Sequence, residues 1–330
     1  MSAQRFLVIG SNSFTGSHFV RHLLDKGLEV VGVSRSDEPA EVFLPHRWGP
    51  CEGFRFHRIN LNHDLDRLME VVEAQGSTHV VNFAGQGMVA QSWDRPTDWY
   101  QTNVVAQVGL HDRLRRVPTL EKYVHVSTPE VYGSVDGPMV EGAAFAPTTP
   151  YAVSRAACDM HLQTFFEAYD FPVVFTRAAN LYGPGQRLYR IVPRAMLCLR
   201  LGQRLPLHGG GLSLRNFVHV VDVASATLKV AVDGEHGEAY HVAGREVVSI
   251  RDLVYRIFRL AGVDPRDLVD EVPDRMGKDH RYELDSGKVR NDLGWVDEIT
   301  LDEGLVDTMR WLDVNLETLS QVSVEYSHKP

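Results

Sequence analysis

Apolar residues in this chain gather in short runs that return at regular intervals, with longer stretches of mixed polarity between them. Arg5–Ile9, Glu29–Val33, Phe56–Ile59, His79–Phe83, Tyr123–Val126 and Pro172–Arg177 have the length and branched or aromatic content of strands buried on both faces. The intervening stretches carry helical spacing: His18 to Lys26, residues 64–75, residues 96–115, and Tyr151 to about Phe166. Strand alternating with helix predicts an α/β fold, a mainly parallel sheet with helices on both faces. Beyond Arg177 the pattern changes, without an internal repeat, a low-complexity tract or a flexible linker. The second region is therefore expected to pack firmly on the first.

Composition narrows the partners. With 330 residues, 44% apolar and 23% charged, the chain can bury a large core. A net charge of −9 argues against nucleic acid or an anionic membrane as the main partner. Cys51, Cys158 and Cys198 are few, odd in number and widely spaced, which points to a reducing cytosol and to neither a disulfide framework nor a zinc site. The first strand starts within five residues of Met1, leaving no room for a signal peptide, and no run approaches bilayer length. A cytoplasmic protein without a metal is the expectation.

The first chemical signal follows the first strand. Gly10-Ser11-Asn12-Ser13-Phe14-Thr15-Gly16 leads directly into a helical stretch, and strand, glycine turn, helix is the opening of a dinucleotide-binding unit. Gly10 would allow the tight turn, Gly16 would let the helix approach the sheet, and N–H groups at the helix start would hold a pyrophosphate. Ser13 replaces the middle glycine, so alone the motif also reads as structural punctuation. The second strand ends in Ser34-Arg35-Ser36, a basic residue flanked by hydroxyls where an acidic residue would bond a ribose 2′-hydroxyl. That favours NADP, and Asp37 keeps NAD open. Asn60-Leu61 and Phe83-Ala84-Gly85 end the third and fourth strands, where small or polar residues let backbone approach a cofactor or simply turn.

The second signal is a pair of segments. Ser127-Thr128-Pro129-Glu130-Val131-Tyr132-Gly133 follows a buried strand, and Pro150-Tyr151-Ala152-Val153-Ser154-Arg155 opens a helix. Tyr151 and Arg155 lie one turn apart on one face, and a cation there favours the ionised phenol that a base needs. Thr128 and Glu130 suggest proton handling at more than one substrate carbon. Arg187, Arg190, Arg194, Arg200 and Arg204 then cluster in an otherwise acidic chain, suiting substrate phosphates or merely a solvated helix face.

Together these residues resemble the extended short-chain dehydrogenase/reductase family, and within it the nucleotide-sugar 4,6-dehydratases of dTDP-glucose and GDP-mannose type. The resemblance runs in order from Gly10–Gly16 through Thr128–Gly133, Tyr151–Arg155, Asn180–Pro184 and Pro206–Asn216 to Arg275–Trp295. It implies a Rossmann-type doubly wound parallel sheet over residues 1–176. A smaller mixed α/β substrate-binding domain would cover 177–330, with the chain returning to the first near 217–231. It also implies a homodimer or homotetramer built on 96–115 and 151–168. The substrate would be a nucleotide-diphosphate hexose and the cofactor a tightly held NADP or NAD, regenerated in each cycle.

By the same resemblance, Tyr151 takes the proton of the sugar C4 hydroxyl as hydride leaves C4, and Thr128 bonds that oxygen. Glu130 removes the C5 proton as water leaves C6, and hydride returns to C6. Gln86, Asn180, Arg190, Pro206, His208, Arg215 and Arg275 are the expected substrate contacts, with Asn180, Arg215 and Arg275 on the phosphates and Pro206 and His208 along the base. Two positions depart from the pattern: Arg155 stands for the usual lysine, and Pro129 for an aspartate thought to protonate the leaving hydroxyl. A 4-epimerase working through a 4-keto intermediate is the alternative, disfavoured by Glu130. A cofactor-binding protein that has lost catalysis is a third reading.

Overall fold

The computed structural model describes residues 4–134, 137–273 and 281–329. β1 (Phe6–Ile9) passes through the glycine turn into α1 (Phe14–Asp25), then β2 (Val30–Ser34) and β3 (Phe54–Arg58). Next come α2 (Leu65–Gln75), β4 (His79–Asn82), α3 (Pro96–Tyr100), a π-helical turn at Gln101–Val105, α4 (Ala106–Leu114) and β5 (Lys122–Val126). A short β6 (Pro138–Met139) precedes α5 (Pro150–Tyr169) and β7 (Val173–Ala178). Beyond these lie β8 (Asn180–Tyr182), α6 (Ile191–Leu201), β9 (Leu205–His208), β10 (Leu214–His219), α7 (Val220–Asp233) and β11 (Ala239–Val242). The chain continues through β12 (Val247–Ser249), α8 (Ile250–Leu260), β13 (Val269–Val272), β14 (Arg281–Leu284), α9 (Gly287–Leu293), α10 (Leu301–Val314) and α11 (Leu316–Ser320).

Seven strands form one parallel sheet in the order β11-β7-β5-β4-β1-β2-β3, the doubly wound arrangement expected from the alternation of elements. Alternate residues of each strand serve two cores. Phe6 and Val8 pack with Phe19, Val20 and the apolar face of α7, whereas Leu7 and Ile9 pack with Leu68, Leu110 and Leu162 on the other face. A third core, among α6, α8 and α10, carries the smaller sheet β12-β10-β14-β6, with β8 beside β10, and the pair β13-β9.

Several boundaries differ from the sequence reading. Helix α1 starts at Phe14 and not at His18, because Ser13 caps it, its Oγ accepting from Gly16 N at 3.0 Å. β3 starts at Phe54, paired with Val30 in β2. The helical stretch from Pro96 is broken by the π turn, which turns the buried Asn103 inward. Among the described residues no helix is long and apolar enough to cross a membrane.

Candidate active site

The strand order reverses between β1 and β4, and a doubly wound sheet opens a crevice at that point beyond the carboxyl ends of its strands. Gly10, at the end of β1, has φ +84°, and a Cβ there would lie 2.8 Å from Ala84 N after β4. A Cβ on Gly16 would lie 2.2 Å from the Gly10 carbonyl oxygen. Both glycines are thus required for the turn to close against β4. Ser34 Oγ accepts from Asn12 N at 3.0 Å, and Asn12 Nδ2 donates to the Ser36 carbonyl at 3.1 Å, tying the turn to the end of β2. The N–H groups of Phe14 and Thr15 open α1 and have no intrahelical partner. Arg35, Arg58, Asn60, His63, Asp64 and Arg67 line a cavity of about 520 Å³ at this end of the crevice. Leu61 is buried, and Phe83 packs against Phe19.

Past β4 the backbone is held by an amide. Asn103, from the π turn, accepts from Gln86 N at 2.8 Å and donates to Gln86 O at 3.0 Å and to Ser154 Oγ at 2.9 Å. Ser154 in turn donates to the Tyr151 carbonyl at 2.7 Å. Sequence reasoning missed Asn103, since a polar residue within a helical stretch carries no local mark of such a role.

The catalytic candidates converge on the opposite side of the crevice. Thr128 caps the helical turn Pro129–Tyr132, and Thr149 caps α5, its Oγ accepting from Ala152 N at 3.1 Å. The Thr128 hydroxyl bonds the Tyr151 phenol, and the Glu130 carboxylate and the Arg155 and Arg190 guanidinium groups all act on it. Burial and the Glu130 charge raise its pKa, while Arg155 and the Thr128 hydrogen bond pull the other way. The cation beside the phenol was expected to favour ionisation. It does so, but burial and Glu130 outweigh it.

Arg155 is buried and directed inward. It donates to the Val126 carbonyl and to His125 Nε2, the latter at 3.1 Å, and a Cβ on Gly85 would lie 3.0 Å from its Nη1. Behind it runs a buried polar chain. Asp159 accepts from Arg177 at 2.8 Å and from Ser127 Oγ at 2.7 Å, and lies 3.3 Å from His125 Nε2. Arg177 also donates to Tyr132 Oη at 3.1 Å, which meets His241 Nε2 at 2.8 Å. Arg177 holds the Asp159 carboxyl well below the usual range against the opposing effect of burial, the larger influence, while burial lowers His125 to about 4 and His241 to about 3. His111, His125 and Cys158 bring potential ligand atoms within 4.8 Å of one another, yet burial pushes the Cys158 thiol up to about 12, which keeps it protonated.

The substrate candidates divide. Arg190 stands at the N-cap of α6 and reaches Tyr151 electrostatically. Asn180 and Arg215 lie on β8 and β10, neighbours in the smaller sheet, and Arg215 is buried. Pro206 and His208 lie on β9, where His208 Nδ1 is 3.1 Å from the Pro273 carbonyl. Arg275 lies outside the described residues. The arginine cluster does not act as one: Arg200 pairs with Asp313, Arg204 with Asp270, and Arg187 covers the Phe43 ring at 4.3 Å.

Residues 6–243 match the NAD dependent epimerase/dehydratase family. The dTDP-glucose 4,6-dehydratase of Streptomyces niveus is 32% identical over 314 residues, 93% of this chain and 92% of that protein. The crystal structure of DesIV, a dTDP-glucose 4,6-dehydratase from Streptomyces venezuelae with NAD bound, superposes with a TM-score of 0.88 at 32% identity, covering 96% of this chain and 98% of that one. The UDP-glucose 4-epimerase of Thermus thermophilus, in complex with NAD, reaches 0.85 at 28% identity over 94% of this chain and 99% of its own.

Proposed function

The chain belongs to the NAD dependent epimerase/dehydratase family, and from that premise we propose that it is an NDP-hexose 4,6-dehydratase. The carrying observation is that Thr128 bonds the Tyr151 phenol and caps the helical turn that carries Glu130, whose charge is felt at that phenol. When bound, the nicotinamide accepts hydride from sugar C4 and returns it to C6. Tyr151 Oη takes the C4 hydroxyl proton, with Thr128 Oγ bonding the same oxygen. The resulting 4-keto group acidifies C5, and Glu130 takes the C5 proton and delivers it to the departing C6 hydroxyl, which leaves as water, because Pro129 has no proton to give. The proton held by Tyr151 passes to C5 as hydride reaches C6. Arg155, tied to Val126 and His125, presents its charge from below Gly85.

The crevice fits a dinucleotide. The glycine-closed turn and the opening N–H groups of α1 suit the pyrophosphate, and Asn12, Ser34 and Ser36 shape the adjoining ribose end. Arg35, Arg58, His63 and Arg67 around one cavity favour a 2′-phosphate, hence NADP, although the solved relatives carry NAD. Arg35→Asp is expected to lower NADP affinity relative to NAD by at least about tenfold, measured by titration of both. A homodimer through 96–115 and 151–168 agrees with the exposed Val105, Val153 and Met160. Free thiols at Cys51, Cys158 and Cys198 agree with a cytoplasmic setting.

The test is mass spectrometry of the protein with GDP-, dTDP-, UDP- and CDP-hexoses, without added reductant. Loss of one water from a single nucleotide sugar supports the reading. An isomer of unchanged mass would replace it with the epimerase, the second reading, which the fit to the Thermus enzyme keeps in view.

A further inference from the structure

The segment after α11 does not trail into solvent. Val324 O accepts from Arg194 on α6 at 3.1 Å, and the Tyr326 ring meets Tyr189 edge-on at 5.4 Å between centroids. His328 then stacks on Trp99 of α3, with centroids 4.8 Å apart and planes 13° apart, and its Nε2 is 2.8 Å from Asp98 Oδ2. Finally the Lys329 carbonyl accepts from two residues at once, Arg35 Nη1 at 2.9 Å and Gln86 Nε2 at 2.7 Å.

Those last two donors locate the segment. Arg35 follows β2 and Gln86 follows β4, and in the sheet these strands flank β1 on either side. One carbonyl bonded to both must therefore lie over the carboxyl end of β1, across the Gly10–Gly16 turn. The segment starts on α6, crosses to α3, and ends above the point where the dinucleotide would rest. Each of the contacts just described is long-range, joining residues that only the folded chain brings together.

We propose that residues 323–329 are a retaining strap of the dinucleotide site, closing over the bound cofactor and lifting when it exchanges. The inference rests on the dehydratase reading, and the chemistry of that reading gives it a purpose. Hydride taken from C4 must return to C6 within the same turnover, so a cofactor lost in between would strand the keto sugar and leave the enzyme unable to finish. An aromatic stack, a close contact of His328 with Asp98 and a shared carbonyl acceptor, all made from outside the Rossmann sheet, slow release without altering the reacting groups.

The experiment begins with the full-length protein as purified, its dinucleotide released by acid and quantified. The bound cofactor is then chased with excess free cofactor, and its dissociation rate compared among the intact chain, a chain lacking residues 323–330, and the full-length variants His328→Ala and Tyr326→Ala. Removing the segment is expected to speed release by at least about tenfold, and His328→Ala by about threefold, through koff. Equal or slower release in the shortened chain and in both point variants overturns the strap. So does faster cofactor entry with unchanged release, which would make the segment an obstruction. Should the shortened chain not fold, the two full-length variants decide. An intact chain that neither carries nor binds a dinucleotide would overturn the cofactor reading itself, and the strap with it.

Discussion

The wall from Ser127 to Asp159 and the stretch from Arg187 to Arg204 both concentrate charge, and they use it in opposite ways. In the wall, Arg155, Arg177, Asp159 and His125 are all buried and pair with one another beneath Tyr151. In the arginine-rich stretch, Arg200 and Arg204 face outward to Asp313 and Asp270, while Arg190 acts on Tyr151. The denser run of cations therefore does less at the crevice than two arginines on a strand and a helix. Whether a charge serves chemistry depends on what it faces once buried, and partly exposed ion pairs contribute little in any case.

That contrast can be broken most directly at Tyr151. Tyr151→Phe is expected to lower kcat by about 10²–10⁴-fold with little change in nucleotide-sugar affinity, read by steady-state kinetics and equilibrium titration. A residual rate near the native one would remove the wall from catalysis. Glu130→Gln should sharpen the division of labour within it. We expect dehydration to fall by at least about a hundredfold while C4 oxidation persists, seen as a rise in nicotinamide absorbance without loss of water from the sugar.

Beneath the wall, Asp159→Asn leaves Arg177 buried opposite a neutral amide. The chain should lose roughly 3–5 kcal/mol of stability, measured by denaturant unfolding, and a loss under 1 kcal/mol would show the network to be dispensable. The histidines add a pH signature. His125 and His241 are held neutral to about 4 and about 3, and the unfolded chain protonates near 6.5. Below that value the unfolded state binds protons that the folded state refuses, so stability falls as pH drops from 6.5 towards 4. The slope is about 1.4 kcal/mol per pH unit for each histidine. His125→Gln should flatten the curve in that window.

The smallest effects belong to the other region. Arg200→Ala and Arg204→Ala are each expected to change stability by no more than about 1 kcal/mol and to leave KM for the nucleotide sugar unaltered, whereas Arg190→Ala should raise it. A raised KM in all three would restore the cluster as a phosphate site.

Much of this was legible before the fold was known, and the reason is local. Buried strands announce themselves as apolar runs, and Gly10, Gly16, Thr128 and Tyr151 sit at fixed offsets from such runs. What escaped was long-range. Asp159 and Arg177 meet across 18 positions, and only packing says so. Arg177 did carry a signal, a cation ending an otherwise apolar strand. Asn103 and the strap carried none, because a π turn and a stack between Trp99 and His328 arise from tertiary contact. The aspartates opposite Arg200 and Arg204 are still more remote in sequence, so phosphate binding and a solvated helix face both stayed open for the cluster until its partners were seen.

The large sheet has a margin that is finished late. β7 is complete at Ala178, yet its outer neighbour β11 spans Ala239–Val242, after three strands of other sheets and the helix α7 that covers the same face. On a ribosome adding about 5–20 residues per second, β7 waits on the order of 3–12 s with its outer edge unpaired. An open parallel edge flanked by uncovered apolar surface is a target for chaperones and for aggregation. Nascent chains stalled just before β11 emerges should therefore recruit holdases strongly, and chains stalled well past it should not. Equal recruitment would mean that the margin is protected by something other than its last strand.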